Sequence, residues 1–497
     1  MQEVQDLVAA GGAGEVGEVS DRLARKMAQG IADMDAASGG KMTMAQANTF
    51  IREAQKATTF EMITEAWINA LLSGPVTHAT NALSNAAVTV WQIPERALAS
   101  MISNVPGIGS GQISPGEVMS QMFGMVKGFE DGMRLAGNGA MDIIRLRKLG
   151  VTAEMKARRQ AIGEGFEGDA VESRITELLN SGPGYKGDSL TKINDGRYES
   201  ISAKNVGLEN TSLGHGIDLL GEFVRGPGKS LAVGDDMFKA INYRAELHAQ
   251  AHRQAMNEGF EGADFAARVR ELVTDPPEKI SMDAMRNARE QTFTNDLGKM
   301  GKWMQRGTNE VKMLRFIIPF VRTPLNIINY ALKRNVATGL FYRDAREAIK
   351  HGGAARDLAI AKIGLGSMTM AWAAQQTLAG NLTGGGPDGI NERQAWMAAG
   401  NQPYSFKNPL TGEWISYGRL EPIGSILGIA ASATEIASMA SGDDVETDEI
   451  MYAALGGVAK NITSKTYLRG LSEFIEAFSS PEQHMTRYIQ GFAWTVV

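Results

Sequence analysis

The stretch MLRFIIPFVRTPLNIINYALKRN, residues 313–335, packs apolar runs between arginines and interrupts them with two prolines. Each apolar run is bounded by fixed charges and is shorter than the ~20 apolar residues that a membrane-spanning helix needs. A proline inside a helix also removes a backbone hydrogen bond, which is especially unfavourable in lipid. The stretch therefore predicts a kinked helical element, partly buried in a helical domain, with kinks at Pro319 and Pro324.

Cations outnumber anions around this stretch, between residues 302 and 350, and aromatic side chains are interleaved with them. That combination is typical of surfaces that contact the phosphate groups of DNA or lipid. An arginine-rimmed core helix without such a function remains an open alternative. The residues expected to contact phosphate, lipid or another subunit are Lys302, Arg306, Lys312, Arg315, Arg322, Lys333, Arg334, Arg343 and Arg346.

The composition is that of a folded protein, because 43% of the 497 residues are hydrophobic and 21% are charged. A chain of this length predicts two to four subdomains. The formal net charge of -6 argues against general coating of nucleic acid but is compatible with a local basic patch. The absence of cysteine excludes disulfides and thiolate metal sites, and the 57 glycines and 26 methionines indicate adaptable, closely packed helices.

Helical periodicity dominates the chain, so we predict a mainly α fold: an elongated multi-helix assembly with kinked helices and one small β-hairpin near 403–418. Residues 66–94 carry no formal charge, but Gly74-Pro75 interrupts them, which predicts two helices that meet at a kink at Pro75. In GSILG, Gly424 and Gly428 have the spacing that allows close helix packing.

The predicted organisation has consecutive regions of different character. They are N-terminal helices with a Gly-rich linker (1–40), a helical region with the long uncharged helical pair (41–162), an irregular Gly-, Asp- and Ser-rich excursion (163–215), a helical region (216–300), basic-aromatic kinked helices with a small-residue helix (301–382), a loop with the β-hairpin (383–422) and C-terminal helices (423–497).

Several features resemble parts of functional sites but match them incompletely. GPGKS at 226–230 lacks the first glycine of a phosphate-binding loop, so a Gly-Pro turn before the next helix is expected. His248 and His252 share a helix face, as in zinc helices, but no third ligand is evident. The adjacent Asp235 and Asp236 do not by themselves make an acid–base pair. We therefore expect no catalytic residue, no metal site and no cofactor, and we predict that the chain is not an enzyme.

Three stretches carry a family resemblance: INALLSGPVTHATNALSNAAVTVWQIPERA (68–97), GDDMFKAINYRAELHAQA (234–251) and RFIIPFVRTPLNIINYALKRN (315–335). YGRLEPIGSILG (417–428) is a weaker fourth. These stretches resemble the internal virion, or ejection, proteins of short-tailed bacteriophages and related domains of very large phage polyvalent proteins.

The resemblance implies a protein that is packaged inside the capsid near the portal, together with other ejection proteins. Such proteins leave with the genome and assemble a homo-oligomeric conduit through which double-stranded DNA crosses the host cell envelope, where they meet the host membrane. Some relatives carry peptidoglycan-cleaving or polymerase domains, whose motifs this chain does not match. Two alternatives remain open: a cell-wall lytic or nucleic-acid-processing enzyme with an unrecognised active site, and a purely structural portal- or capsid-associated protein.

Overall fold

The computed structural model describes residues 57–149, 200–208, 211–295, 297, 322–387, 389–440 and 456. These residues are mainly helical and include one small antiparallel sheet of two strands, which confirms the predicted fold class. The elements in chain order are α1 (Thr59–Leu72), α2 (Pro75–Ser103), α3 (Pro115–Leu149), α4 (Ala203–Val206), α5 (Ser212–Asn257), α6 (Gly262–Thr274), α7 (Glu278–Gln291), α8 (Arg322–Lys333), α9 (Val336–Gly339), α10 (Arg343–His351), α11 (Gly353–Leu378), α12 (Ile390–Ala398), β1 (Ser405–Lys407), β2 (Trp414–Ser416) and α13 (Ile423–Ala440).

The chain divides into two compact units, and the first comprises Met1–Ala66 and Gly196–Arg225. Within it, a buried ion pair joins Glu65 to Arg225 at 3.1 Å. The Glu65 carboxylate also accepts a hydrogen bond from the backbone N–H of Ile201, at 2.8 Å. The second unit comprises Trp67–Asp195 and Gly226–Val497.

The uncharged stretch folds as two helices, as its Gly-Pro interruption predicts. Helix α1 ends at Leu72 and α2 begins at Pro75, with Gly74 in an extended conformation between them. Pro75 occupies the first position of α2, where a backbone N–H would have no partner within the helix, so proline costs no hydrogen bond there. It therefore starts a helix and does not bend one. Pro94, in contrast, lies inside α2, which continues to Ser103.

The expected Gly-Pro turn at 226–230 is wrong, because α5 runs without interruption from Ser212 to Asn257 with Pro227 inside it. A proline in a helix leaves neighbouring backbone groups without their usual partners. Here the N–H of Gly228 donates to the side-chain oxygen of Asn69 at 3.2 Å. A contact from a distant part of the chain therefore helps the helix to pass through its proline.

The hairpin lies where the sequence predicts it. Strand β1 pairs with β2 in antiparallel register, with Phe406 opposite Ile415. The loop closes through a hydrogen bond from the N–H of Gly412 to the carbonyl of Asn408, at 2.8 Å. Gly412 has φ of 71°, a conformation that glycine adopts without steric penalty.

Helix α3 packs closely and antiparallel against α5 through glycines spaced four residues apart. An added Cβ would lie 2.4 Å from the Arg244 carbonyl at Gly124, and 2.5 Å from the Ile241 Cα at Gly128. At Gly132 it would lie 2.8 Å from the Met237 side chain. This face of α3 admits no side chain, so it fixes the rotation of the helix about its own axis.

At Gly424 the observed contact differs from the predicted helix packing, whereas the packing role of Gly428 stays a prediction. Gly424 lies against the backbone carbonyl of Tyr417, 2.4 Å from an added Cβ, so it approaches the turn after β2 and not another helix. Gly428 is buried in α13. Pro324 lies in α8, two residues after Arg322, where the described part of the helix begins, so the kink there stays a prediction. Pro319 lies outside the described residues.

Candidate functional site

The basic segment is the predicted site, and the structure describes part of it. Four of its residues lie outside the described residues: Lys302, Arg306, Lys312 and Arg315. Arg322 begins α8 and is half-buried, and Arg346 is exposed on α10. Lys333 pairs with Asp344 at 2.6 Å, and Arg343 pairs with Glu347 at 2.6 Å within one helix.

Arg334 differs from the expectation of a surface cation, because its side chain is only 1% exposed. Its Nε and Nη2 donate to the two carboxylate oxygens of Glu95 on α2, at 2.6 and 3.2 Å. Its guanidinium lies 3.3 Å from the ring centroid of Tyr330, and Glu290 of α7 lies 3.6 Å from Nη1. A guanidinium held on all of these sides is not available to phosphate, lipid or a neighbouring subunit.

A second cluster surrounds Arg96, the residue after Glu95 on α2. Arg96 forms short ion pairs with Glu117 of α3 and Glu246 of α5. Glu117 is shared with Arg253, whose Nε donates to it at 2.9 Å. Because two adjacent residues of α2 bind partners on different elements, this point of α2 ties α3 and α5 to Arg334, the residue that follows α8.

Lys362 of α11 connects the two clusters electrostatically. It helps to lower the pKa of both Glu246 and Glu290. We call the whole set the ionic network. It contains four cations and four anions, and Arg253, Glu290 and Lys362 are only partly buried. The members are Arg96, Arg253, Arg334 and Lys362 with Glu95, Glu117, Glu246 and Glu290.

The network lowers the pKa of two of its carboxylates, Glu246 and Glu290. Burial raises the pKa of Glu290, but Lys362 and Arg334 outweigh that effect and bring the pKa to about 2. Burial likewise opposes ionisation of Glu246, and Arg96 outweighs it, so the pKa of Glu246 is lowered. A general acid or base works best with a pKa near the operating pH. The chemistry of these groups is therefore that of fixed charges that specify which helices meet.

Polar contacts extend the network along α2 and α5. The Gln92 side chain donates to Asn242 at 2.5 Å and accepts from Asn287 at 3.0 Å. Further along, burial raises the pKa of Asp235 to about 6, although Lys239 and the amides of α2 oppose this shift. The protonation of Asp235 therefore changes near pH 6.

The two histidines on α5 are held by contacts within the protein. The His252 ring nitrogens lie 3.1 Å from the Ser114 hydroxyl and 2.9 Å from the Ser120 hydroxyl. His248 packs edge-on against Phe123, and burial, with Arg244 and Lys127, lowers its pKa to about 4. The described residues contain no cluster of potential metal ligands.

The outward face of α3 is a surface that our sequence reasoning missed. Opposite the glycines, its large apolar side chains are exposed; Val126, at its centre, is 59% exposed. The signal was present in the spacing of Met and Phe at intervals of three, four and seven residues. We call this surface the α3 stripe; it consists of Met119, Met122, Phe123, Val126, Phe129 and Met133.

None of the described helices is both long enough and apolar enough to cross a bilayer. Comparison of the chain with protein-family models, with curated proteins and with solved structures found no match.

Proposed function

We propose that the chain is an internal virion, or ejection, protein of a short-tailed bacteriophage. In this proposal it is packaged in the capsid near the portal with other ejection proteins. It then forms a homo-oligomeric helical conduit that carries double-stranded DNA across the host cell envelope and contacts the host membrane. It acts without catalysing a reaction.

The observation that carries the proposal is the meeting of the stretches with the family resemblance. Stretch 68–97 binds stretch 234–251 through the Arg96–Glu246 ion pair. It binds stretch 315–335 through Glu95 and Arg334. The weaker stretch 417–428 contacts 68–97 through the Arg419 carbonyl, which accepts from Ser84 at 3.5 Å. The resemblance therefore concerns one connected buried core and not separate surface segments.

The α3 stripe supports the assembly part of the proposal. Contiguous apolar surface beyond a few hundred Å² commonly marks an interaction site. The stripe lies on a helix whose other face is fixed against α5 by glycines. It is therefore presented to a partner without a cost for ordering the helix.

The decisive experiment follows the chain during genome release. Virions that contain the protein are triggered to release DNA in vitro, and the chain is quantified by mass spectrometry in the particles before and after. We expect its amount in the emptied particles to fall together with the DNA, while the portal protein stays constant. Retention of the chain at full amount would contradict the proposal and favour the structural portal or capsid role.

A second experiment addresses the conduit and the enzyme alternative. The purified full chain is examined by electron microscopy with and without phospholipid vesicles, and release of an encapsulated dye is followed. Rings with a channel wide enough for duplex DNA, together with dye release, are expected. Clearing of a peptidoglycan zymogram or degradation of DNA would overturn the non-enzymatic assignment.

A further inference from the structure

The α3 stripe is nearly symmetric about its central residue. Phe123 and Phe129 lie three residues before and after Val126, and Met119 and Met133 lie seven residues before and after it. Seven residues make about two turns of an α-helix, so all of these positions lie on one face. Met122 is the exception, because its mirror position is Glu130. At the other five positions the face presents the same side chains when the helix is turned end over end.

We propose that the α3 stripe is the interface with a second copy of this chain, in an antiparallel pair of α3 helices related by a two-fold axis at Val126. In that arrangement Val126 meets the partner's Val126. Met119 lies level with the partner's Met133, and Phe123 lies level with the partner's Phe129. A two-fold interface uses the same patch on both copies, as this stripe does at every position except Met122, which lies level with the partner's Glu130.

The size of the stripe suits a pair of this kind. It extends over about 21 Å of helix, from Met119 to Met133, at about 1.5 Å per residue. At roughly 100 Å² for each half-exposed side chain, the stripe offers about 600 Å² per copy, or about 1,200 Å² for the pair when fully buried, which is the lower limit for specific interfaces.

Rotation of α3 cannot bury the stripe within its own chain. The opposite face consists of Gly124, Gly128 and Gly132, and an added Cβ at each would lie within 2.4 to 2.8 Å of an α5 atom. Turning the stripe inward would place Met and Phe side chains where not even a methyl group fits. The stripe therefore stays outward while α3 is packed on α5.

The charges beside the stripe favour a protein copy over a lipid surface. Helices that lie on membranes carry an excess of Lys and Arg on their polar face. On α3, Lys127 is paired with Glu130 at 3.0 Å, and Asp131 is paired with Arg244 at 2.7 Å. These two pairs are neutral, and Arg134, exposed on the same helix, is a single further cation and not the row of Lys and Arg of a membrane-surface helix.

The pairing supplies one subunit contact of the proposed homo-oligomer and in that sense rests on the proposed function, yet the two can fail separately. A pair that forms by the stripe while the chain stays with emptied virions supports the contact and refutes the conduit. A chain that leaves the virion with the DNA but does not pair through the stripe supports the conduit and refutes the contact.

Cysteine pairing tests the geometry with no background, because the chain has no cysteine of its own. Under mild oxidation, Val126→Cys should form a disulfide-linked dimer. Co-expressed Met119→Cys and Met133→Cys chains should cross-link to each other, while Met119→Cys alone should not. Met101→Cys, which replaces a side chain that is 70% exposed on α2, is the matched control and should stay monomeric on a denaturing gel. Cross-linking of Met119→Cys with itself would indicate a parallel pair and overturn the proposal.

Disruption tests the affinity. Val126→Glu combined with Phe129→Glu should weaken the dimer, measured by analytical ultracentrifugation of the full chain, by at least about 100-fold, since it places unpaired charges at the centre of the interface. Leu83→Glu, at an equally exposed position on α2, should leave the dimer unchanged, and circular dichroism confirms that each variant is folded. A monomeric parent chain contradicts the proposal, and maleimide labelling of Val126→Cys then identifies what covers the stripe. Slow labelling would show that another segment of the same chain covers it. Fast labelling that phospholipid vesicles suppress would show that lipid covers it.

Discussion

Replacing Glu95 by Gln should destabilise the protein far more than removing a surface carboxylate. The substitution keeps the size of the side chain but leaves the buried guanidinium of Arg334 without its main counter-charge. Breaking a buried ion pair in this way typically costs ~3–5 kcal/mol, because the remaining charge stays desolvated. Here Glu290, 3.6 Å from Arg334, and the ring of Tyr330 remain in place. We therefore expect a loss at the lower end, about 3 kcal/mol of the free energy of unfolding.

The assay is urea denaturation followed by circular dichroism, with Glu347→Gln as the matched control. Glu347 also pairs with an arginine, Arg343, but that arginine is 84% exposed. An exposed pair of this kind contributes roughly 0.5 kcal/mol or less. Equal shifts of the two unfolding midpoints would refute the reasoning.

A double substitution separates the ion pair from simple packing. Replacing Glu95 by Leu and Arg334 by Met removes both charges and keeps apolar volume in the site. Buried ion pairs exchanged for apolar groups are often neutral or even stabilising. The double variant should therefore be clearly more stable than Glu95→Gln. A double variant that is less stable than Glu95→Gln would contradict this expectation. It would show that the network contributes net stability and does not act mainly by specifying which helices meet.

Three further substitutions test other parts of the second unit by the same denaturation assay. Gly128→Ala should destabilise by about 2 kcal/mol or more because its Cβ meets the backbone of α5, whereas Gly137→Ala on the same helix, with nothing within 4 Å, should be neutral or stabilise by up to about 1 kcal/mol. Burial raises the pKa of Asp235 to about 6 from 3.8, so the folded state binds its proton more tightly than the unfolded state does, and the protein loses stability as pH rises from about 4 through 6. Asp235→Asn should remove that loss, so its free energy of unfolding should exceed that of the parent by about 2 to 3 kcal/mol at pH 7.5 and equal it at pH 3.5. A variant whose stability varies with pH as the parent's does would contradict the raised pKa of Asp235. Asn69→Leu should cost about 1–2 kcal/mol, because the N–H of Gly228 loses its acceptor; no change would show that water replaces it.

Local sequence determined the features whose causes are local. The break between α1 and α2 follows from Gly74-Pro75, because proline begins a helix more easily than it continues one. The hairpin follows from alternating side chains around a loop that ends in glycine. The mainly helical class follows from periodicity along the chain.

Tertiary structure decided where each polar group lies. The sequence marks Arg334 as a cation in a basic segment, but its burial depends on Glu95, which is 239 residues away along the chain. Pro227 reads locally as a turn, yet α5 continues through it because Asn69 accepts the neighbouring N–H. Glycines such as Gly128 read as helix-weakening residues until α5 is seen to occupy the space of their missing side chains. In each case the free energy of a distant contact outweighs a local preference of about 1–3 kcal/mol, and no window of sequence contains both partners.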